Sequence, residues 1–102
     1  ISVSSQDTNP QGIAMKSDGT EMYIVGSTND KIYQYTLSTV WDISTASYDS
    51  VFLSVASQDT LPTDLTIGNE GTKIYLMGGG NDIVYEYSFG SGFAGSALAT
   101  VL

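Results

Sequence analysis

The carboxylates that could do chemistry stand in a stretch that occurs twice. Residues 2–10 read SVSSQDTNP, and residues 54–62, which follow at a spacing of 52, read SVASQDTLP. Each copy places one Asp, Asp7 or Asp59, beside a Thr and ahead of a predicted strand. Carboxylate and carbonyl oxygens there could bind a cation or sugar hydroxyls. Short Asp and Thr side chains also hydrogen-bond to loop amides, and because the pattern recurs in each copy, we favour this structural role.

Two sets of aromatic residues are further candidates. Trp41, next to Asp42, lies in a loop predicted over residues 38–45, and loops often carry binding residues. Trp41 is therefore the best single candidate for contact with a ligand, although we favour a role in capping the hydrophobic edge of the first copy. Four Tyr residues at alternate positions are expected to pack in the core, with a sugar-stacking surface as the alternative: Tyr33, Tyr35, Tyr85 and Tyr87.

Catalytic chemistry has few residues available. The chain has no His and no Cys, which excludes imidazole and thiol nucleophiles, disulfides and Cys/His metal sites. It has neither a G-x-S-x-G nucleophile motif nor a D-x-D-x-D-G calcium loop. Paired carboxylates could hydrolyse glycosides, but no spacing singles out a pair. We therefore expect no enzyme, and we predict no catalytic residue, metal site or cofactor.

Composition restricts the partners. Three basic residues against eleven acidic ones give a formal net charge of −8. Nucleic-acid affinity depends mainly on basic residues that neutralise phosphate, so no nucleic-acid partner is expected, and the acidity is expected to serve solubility. No apolar run approaches the roughly 18 residues of a membrane-spanning helix, so no membrane insertion is expected. The length is that of one domain at most.

Both copies predict the same succession of four strands. β-Branched and aromatic residues cluster in short runs between turn residues, which is typical of all-β proteins. The predicted strands are residues 11–15, 21–26, 31–37 and 47–55 in the first copy, and 63–67, 73–78, 83–89 and 96–102 in the second. Gly, Asn and Asp tolerate positive φ, so hairpin turns are predicted at Asp18 and Gly19, Glu70 and Gly71, Asn29 and Asp30, and Asn81 and Asp82.

Several of these strands are apolar on both faces. Side chains alternate along a strand, so Met22 and Ile24 face one way while Tyr23 and Val25 face the other. Antiparallel sheets commonly have one polar face; two apolar faces predict that each sheet is covered on both sides. β-Propellers satisfy this with four-stranded sheets stacked around an axis. The prediction is an all-β fold of two four-stranded antiparallel propeller blades, residues 1–52 and residues 53–102.

The segments after each copy resemble a known repeat. PQGIA at residues 10–14, SDGTEMYIV at 17–25 and NDKIYQY at 29–35 are similar to NHL- and YVTN-type propeller repeats. SSQDT at residues 4–8 and LSTVWDISTASY at 37–48 look most like blades of phage and marine environmental sequences. In the second copy Asp64 replaces Gly12, and Phe93 in a Gly-rich loop replaces Trp41. The resemblance implies a propeller in a virion or in a secreted surface protein.

Two blades are too few for a closed propeller, which usually has four to eight. Open sheet faces would expose apolar patches of the kind that mark interfaces, and their burial is favourable by about 25 cal/mol per Å². We therefore expect a cyclic head-to-tail homo-oligomer, a six-bladed trimer being favoured over a dimer or a tetramer. Because Ile1 aligns with Leu53 in an outer strand, residues 1–4 are expected to complete the outer strand of a neighbouring blade.

The functional hypotheses follow this order. The first is a non-catalytic structural or interaction module that assembles as a closed propeller. The second is a carbohydrate-binding, lectin-like propeller with its site near Trp41 and Asp42 or on the rim that carries Asp7 and Asp59. A glycoside hydrolase that uses the same rim carboxylates ranks last.

Overall fold

The chain folds into two antiparallel sheets that follow each other in sequence. A computed structural model describes residues 1–68, 71–88 and 98–101. The first sheet has the order β1 (Pro10–Met15), β2 (Glu21–Gly26), β3 (Lys31–Leu37) and β4 (Ala46–Ser54). The second has the order β5 (Pro62–Gly68), β6 (Lys73–Gly78), β7 (Ile83–Ser88) and β8 (Leu98–Val101). The all-β prediction is confirmed, and every strand lies within one or two residues of its predicted bounds.

Parts of the prediction fall outside the described residues. These are Glu70, the Gly-rich loop with Phe93, and both ends of the last predicted strand. Within the described part, a short 3-10 helix, η1 (Ile43–Thr45), occupies the end of the predicted loop 38–45. No helix in the described ranges is long and apolar enough to cross a membrane.

The hairpin turns adopt the backbone conformation that their residue types allow. Gly19 and Gly71 have φ of 74° and 86°, and Asp30 and Asp82 have φ of 53° and 58°. Gly occupies this left-handed region freely, and Asp tolerates it because its short side chain can hydrogen-bond locally. The turns predicted at these four residues are confirmed, and they make each sheet a simple meander.

One face of the first sheet packs on the second sheet, and the main core lies between them. The buried side chains in this core come from both sheets and from Val55 in the connection: Tyr23, Val25, Ile32, Leu65, Ile74, Leu76, Tyr85 and Tyr87. Because side chains alternate along a strand, the other face of the first sheet carries a second apolar cluster: Met22, Ile24, Tyr33, Tyr35 and Leu37. The first sheet is therefore apolar on both faces.

Candidate functional site

Asp7, a candidate ligand residue, is only 1% exposed and lies under the β2–β3 turn. Its Oδ1 atom accepts hydrogen bonds from the backbone N–H of Asn9 at 2.8 Å and of Thr28 at 3.3 Å. Its Oδ2 atom accepts from the N–H of Asn29 at 2.9 Å. Hydrogen bonds to an ionised acceptor are stronger than neutral ones, so this carboxylate joins the segment before β1 to the β2–β3 turn.

Asp59 makes the same arrangement in the second sheet. It is 2% exposed. Its Oδ1 atom accepts from the N–H of Leu61 at 2.8 Å and of Gly80 at 3.0 Å, and its Oδ2 atom accepts from the N–H of Asn81 at 2.8 Å. Each carboxylate therefore serves the loop amides of its own sheet, the structural role that the sequence analysis favoured.

A glycine stands against each buried carboxylate. A Cβ atom at Gly26 would overlap the carboxyl group of Asp7, and a Cβ atom at Gly78 would overlap that of Asp59. Neither overlap could be relieved cheaply, because both carboxylates are held by three amides. The close approach explains why Gly occupies this position in both copies.

The tyrosine ladder belongs to the same cluster. In the first sheet the carbonyl oxygen of Gln6 accepts from Tyr33 Oη and from Asn29 Nδ2, both at 2.8 Å. The amide oxygen Oε1 of Gln6 accepts from Tyr35 Oη at 2.6 Å. Burial and the neighbouring tyrosines raise the pKa of Tyr35 to about 12, so its hydroxyl remains a donor at neutral pH.

The second sheet repeats these bonds around Gln58. Its carbonyl oxygen accepts from Tyr85 Oη and from Asn81 Nδ2, and its Oε1 atom accepts from Tyr87 Oη, all at 2.8 Å. The repeated Gln-Asp, Gly, Asn and Tyr-x-Tyr residues therefore form one hydrogen-bonded unit in each sheet, which we call the Asp7 cluster and the Asp59 cluster.

The electrostatics of the two carboxyl groups suit this role. Burial acts to raise the pKa of Asp7, but the amides of Asn29, Asn9 and Thr28 outweigh it and hold the pKa below its ordinary value. The pKa of Asp59 is lowered in the same way by the amides of its own loops. Both groups are thus ionised at neutral pH. Within residues 1–68, 71–88 and 98–101, no three acidic side chains form a group that could hold a metal ion.

Asp30 is a residue whose special environment sequence reasoning missed. Its Oδ1 atom is buried and has no hydrogen-bond partner among the described residues. Burial raises the pKa of Asp30, and the negative charges of Asp7 and Asp59 raise it further. Its equivalent Asp82 looks identical in sequence but is exposed. The only available signal was that Asp30 precedes the connection to the second sheet.

Trp41 lies on a hairpin turn of its own sheet. Its N–H donates to the carbonyl oxygen of Gly19 at 3.0 Å, and a Cβ atom at Gly19 would lie 2.5 Å from Cε2 of the indole. The indole therefore covers the β1–β2 turn, and the side chain remains 59% exposed. An exposed aromatic ring of this kind could stack on a ligand or on another protein surface.

Asp42 has a local role beside it. Its Oδ1 atom accepts from Ser44 N at 3.0 Å and from Ser44 Oγ at 2.6 Å, and so caps η1. Because β1 and β2 are antiparallel, the turn under Trp41 and the turn over Asp7 lie at opposite ends of the first sheet. The structure therefore does not bring the two groups of candidate residues together.

Each sheet also has one face directed away from the other sheet. The outer face of the first sheet holds an apolar groove of about 330 Å³, lined by Ile1, Val3, Ile13, Met22, Ile24 and Ile43 among others. The outer face of the second sheet holds a smaller one of about 160 Å³, lined by Leu65, Thr66, Tyr75, Leu76, Met77 and Val84 among others. These two faces are the largest apolar surfaces with recognition potential that the described residues offer.

Fold and site together define a class: an all-β protein of two packed antiparallel sheets, each tied by a buried carboxylate cluster. Comparisons with protein-family models, with curated proteins and with solved structures found no match. The resemblance to NHL- and YVTN-type repeats therefore stays a prediction.

Proposed function

We propose that this chain is a non-catalytic structural module, a two-blade segment of a β-propeller whose outer faces pack on further copies of the chain. The observation that carries the proposal is the junction inside the chain. There one face of the first sheet, with Tyr23, Val25 and Ile32, covers Ile74 and Leu76 of the second.

The two outer faces are the same pair of surfaces without their partners. Ile13, Met22 and Ile24 on the outer face of the first sheet are the equivalents of Leu65, Ile74 and Leu76 in the junction. On the outer face of the second sheet, Tyr75, Met77 and Val84 are the equivalents of Tyr23, Val25 and Ile32. Stacking a second copy on the first would thus repeat a packing arrangement that already exists within one chain.

Exposure shows what such stacking would bury. Val25 and Ile32 are 0% exposed in the junction, whereas Met77 and Val84 are 47% and 40% exposed on the outer face. Removing apolar surface from water is favourable by about 25 cal/mol per Å². The outer faces therefore favour association with a surface of the matching kind, which a second copy supplies.

Repeating one head-to-tail contact closes a ring when the rotation permits it. Propellers usually have four to eight blades, so the proposal takes a six-bladed trimer as the favoured assembly, with four and eight blades as alternatives. Within a single chain, Ile1 and Val3 line the groove on their own first sheet. In the ring, residues 1–4 leave this groove and extend the outer strand of the neighbouring blade.

Light scattering coupled to size exclusion tests the proposal. The parent chain should have the mass of a closed oligomer, and Ile13→Asp and Met77→Asp should each prevent closure by charging one outer face. An equimolar mixture of these two variants should form a dimer through the one unaltered pair of faces, and nothing larger. Leu61→Asp, which charges an apolar side chain that is 49% exposed in a loop, is the matched control. A monomeric parent at every accessible concentration would overturn the proposal.

A further inference from the structure

The junction within the chain has a lysine at its edge. A Cβ atom at Gly71, in the β5–β6 turn, would lie 2.9 Å from Cε and 3.3 Å from Cδ of Lys16. The ammonium group of Lys16 stays with its own sheet, 3.7 Å from Asp18 Oδ2 and 3.9 Å from Glu21 Oε1. The methylene stem, rather than the charge, therefore fills the space over the turn glycine of the second sheet.

The equivalent space at an outer face is filled differently. Gly71 corresponds to Gly19, and Lys16 corresponds to Gly68. If a second copy stacks head to tail, its Gly19 turn meets Gly68, which has no side chain to cover that turn. The position over Gly19 is already occupied by Trp41, since a Cβ atom there would lie 2.6 Å from both Cδ1 and Cδ2 of the indole.

We propose that Trp41 anchors the contact between copies, its indole filling the space that Gly68 of the adjoining copy leaves empty. This inference rests on the head-to-tail packing proposed above. Tyr75 lies beside that space, because a Cβ atom at Gly68 would lie 3.2 Å from Tyr75 Cε2. The exposed face of the indole thus meets the Tyr75 ring of the adjoining copy, and aromatic pairs of this kind contribute beyond their buried area.

The position of Trp41 suits an anchor. Its backbone is held in place by the hydrogen bond to Gly19 and by a left-handed φ of 63°. A ring fixed in this way loses little conformational freedom on binding, which favours association. Buried Trp side chains are also among the residues that dominate binding energy at protein interfaces.

Fluorescence can test the inference directly, because Trp41 is the only tryptophan in the chain. In the assembled protein the emission should shift to shorter wavelength and acrylamide should quench it less than in the Met77→Asp variant, whose outer face is blocked. Dilution of the parent should reverse both changes. Trp41→Ala should weaken assembly at least tenfold, whereas Val40→Ala, in the same loop and 53% exposed, should assemble like the parent.

A second variant covers the case in which Trp41→Ala fails to fold. Gly68→Lys restores the side chain found at the within-chain junction, so it should compete with the indole and move the emission of the concentrated protein to longer wavelength. An assembly in which Trp41 is as accessible as in Met77→Asp, or which forms equally well with the Trp41→Ala variant, would overturn the inference and leave the ring intact. Failure of the parent to assemble would overturn both proposals.

Discussion

Leu65 and Ile13 occupy the same position of the repeat, yet Leu65 is 5% exposed and Ile13 is 57% exposed. Leu65 lies in the junction between the sheets, and Ile13 lies on the outer face of the first sheet. The contrast shows that burial here is set by the neighbouring sheet rather than by residue type or strand position. The Asp7 and Asp59 clusters, in contrast, are alike in both sheets because every group in them belongs to one copy of the repeat.

The largest expected difference lies between the two apolar positions. In monomeric protein, Leu65→Ala should lower the free energy of unfolding by about 3 kcal/mol, as buried Leu→Ala changes do. Ile13→Ala should lower it by less than about 1 kcal/mol, because that side chain already contacts water. Urea unfolding of dilute samples measures both values. Equal losses in the monomer would contradict the comparison between junction and outer face.

The two carboxylate clusters should respond alike. Asp7→Asn and Asp59→Asn should each lower the free energy of unfolding by about 2 kcal/mol at neutral pH, because an amide loses the charge and turns a donor toward one backbone N–H. The chemical denaturation midpoint of each variant, set against that of the parent, gives these values. A clear difference between the two would show that one cluster depends on more than its own repeat.

The pH dependence follows from the same groups. Since the pKa values of Asp7 and Asp59 are lower in the folded protein than their ordinary value of 3.8, the unfolded chain binds more protons in acid. Their contribution to stability is complete above the ordinary value and is lost as pH falls through the folded pKa values, within the range of about pH 5 to pH 1. The acid-induced loss of stability should be smaller in the Asn variants, and urea unfolding across that range would reveal it.

The smallest expected effect has the opposite sign. The pKa of Asp30 is raised, so the ionised group opposes folding at neutral pH, and its contribution improves as pH falls through the folded pKa. Asp30→Asn should therefore stabilise the protein at neutral pH by no more than about 1 kcal/mol, and Asn also accepts the left-handed backbone. The matched control is Asp82→Asn, at the equivalent and exposed turn position. Thermal unfolding that showed no gain, or an equal gain for both, would contradict this assignment.

Strands and turns could be predicted from the sequence because they depend on local patterns. Alternation in β2 and the Gly and Asp turn residues each act within a few positions. The Gln6–Tyr35 bond could not be predicted, because a repeated pair of residues does not reveal which of its members meet across 29 positions. Asp30 was missed for a related reason: its copy Asp82 has the same local sequence, and only the packing of the second sheet makes the two different.

The η1 helix was also missed, since three residues carry no periodic signal. It depends on one local side-chain bond, in which Asp42 accepts from the N–H of Ser44. Similarly, Asp42 could be identified as polar and loop-borne, but its role as a helix cap required the backbone geometry.

Each buried carboxylate cluster is closed within a single copy of the repeat, and this has a consequence for how such chains can change in length. Duplication or deletion of one whole unit would leave every remaining cluster intact and would present the same two faces at the ends. Genes encoding different numbers of units could therefore build rings of equal size from different numbers of polypeptides.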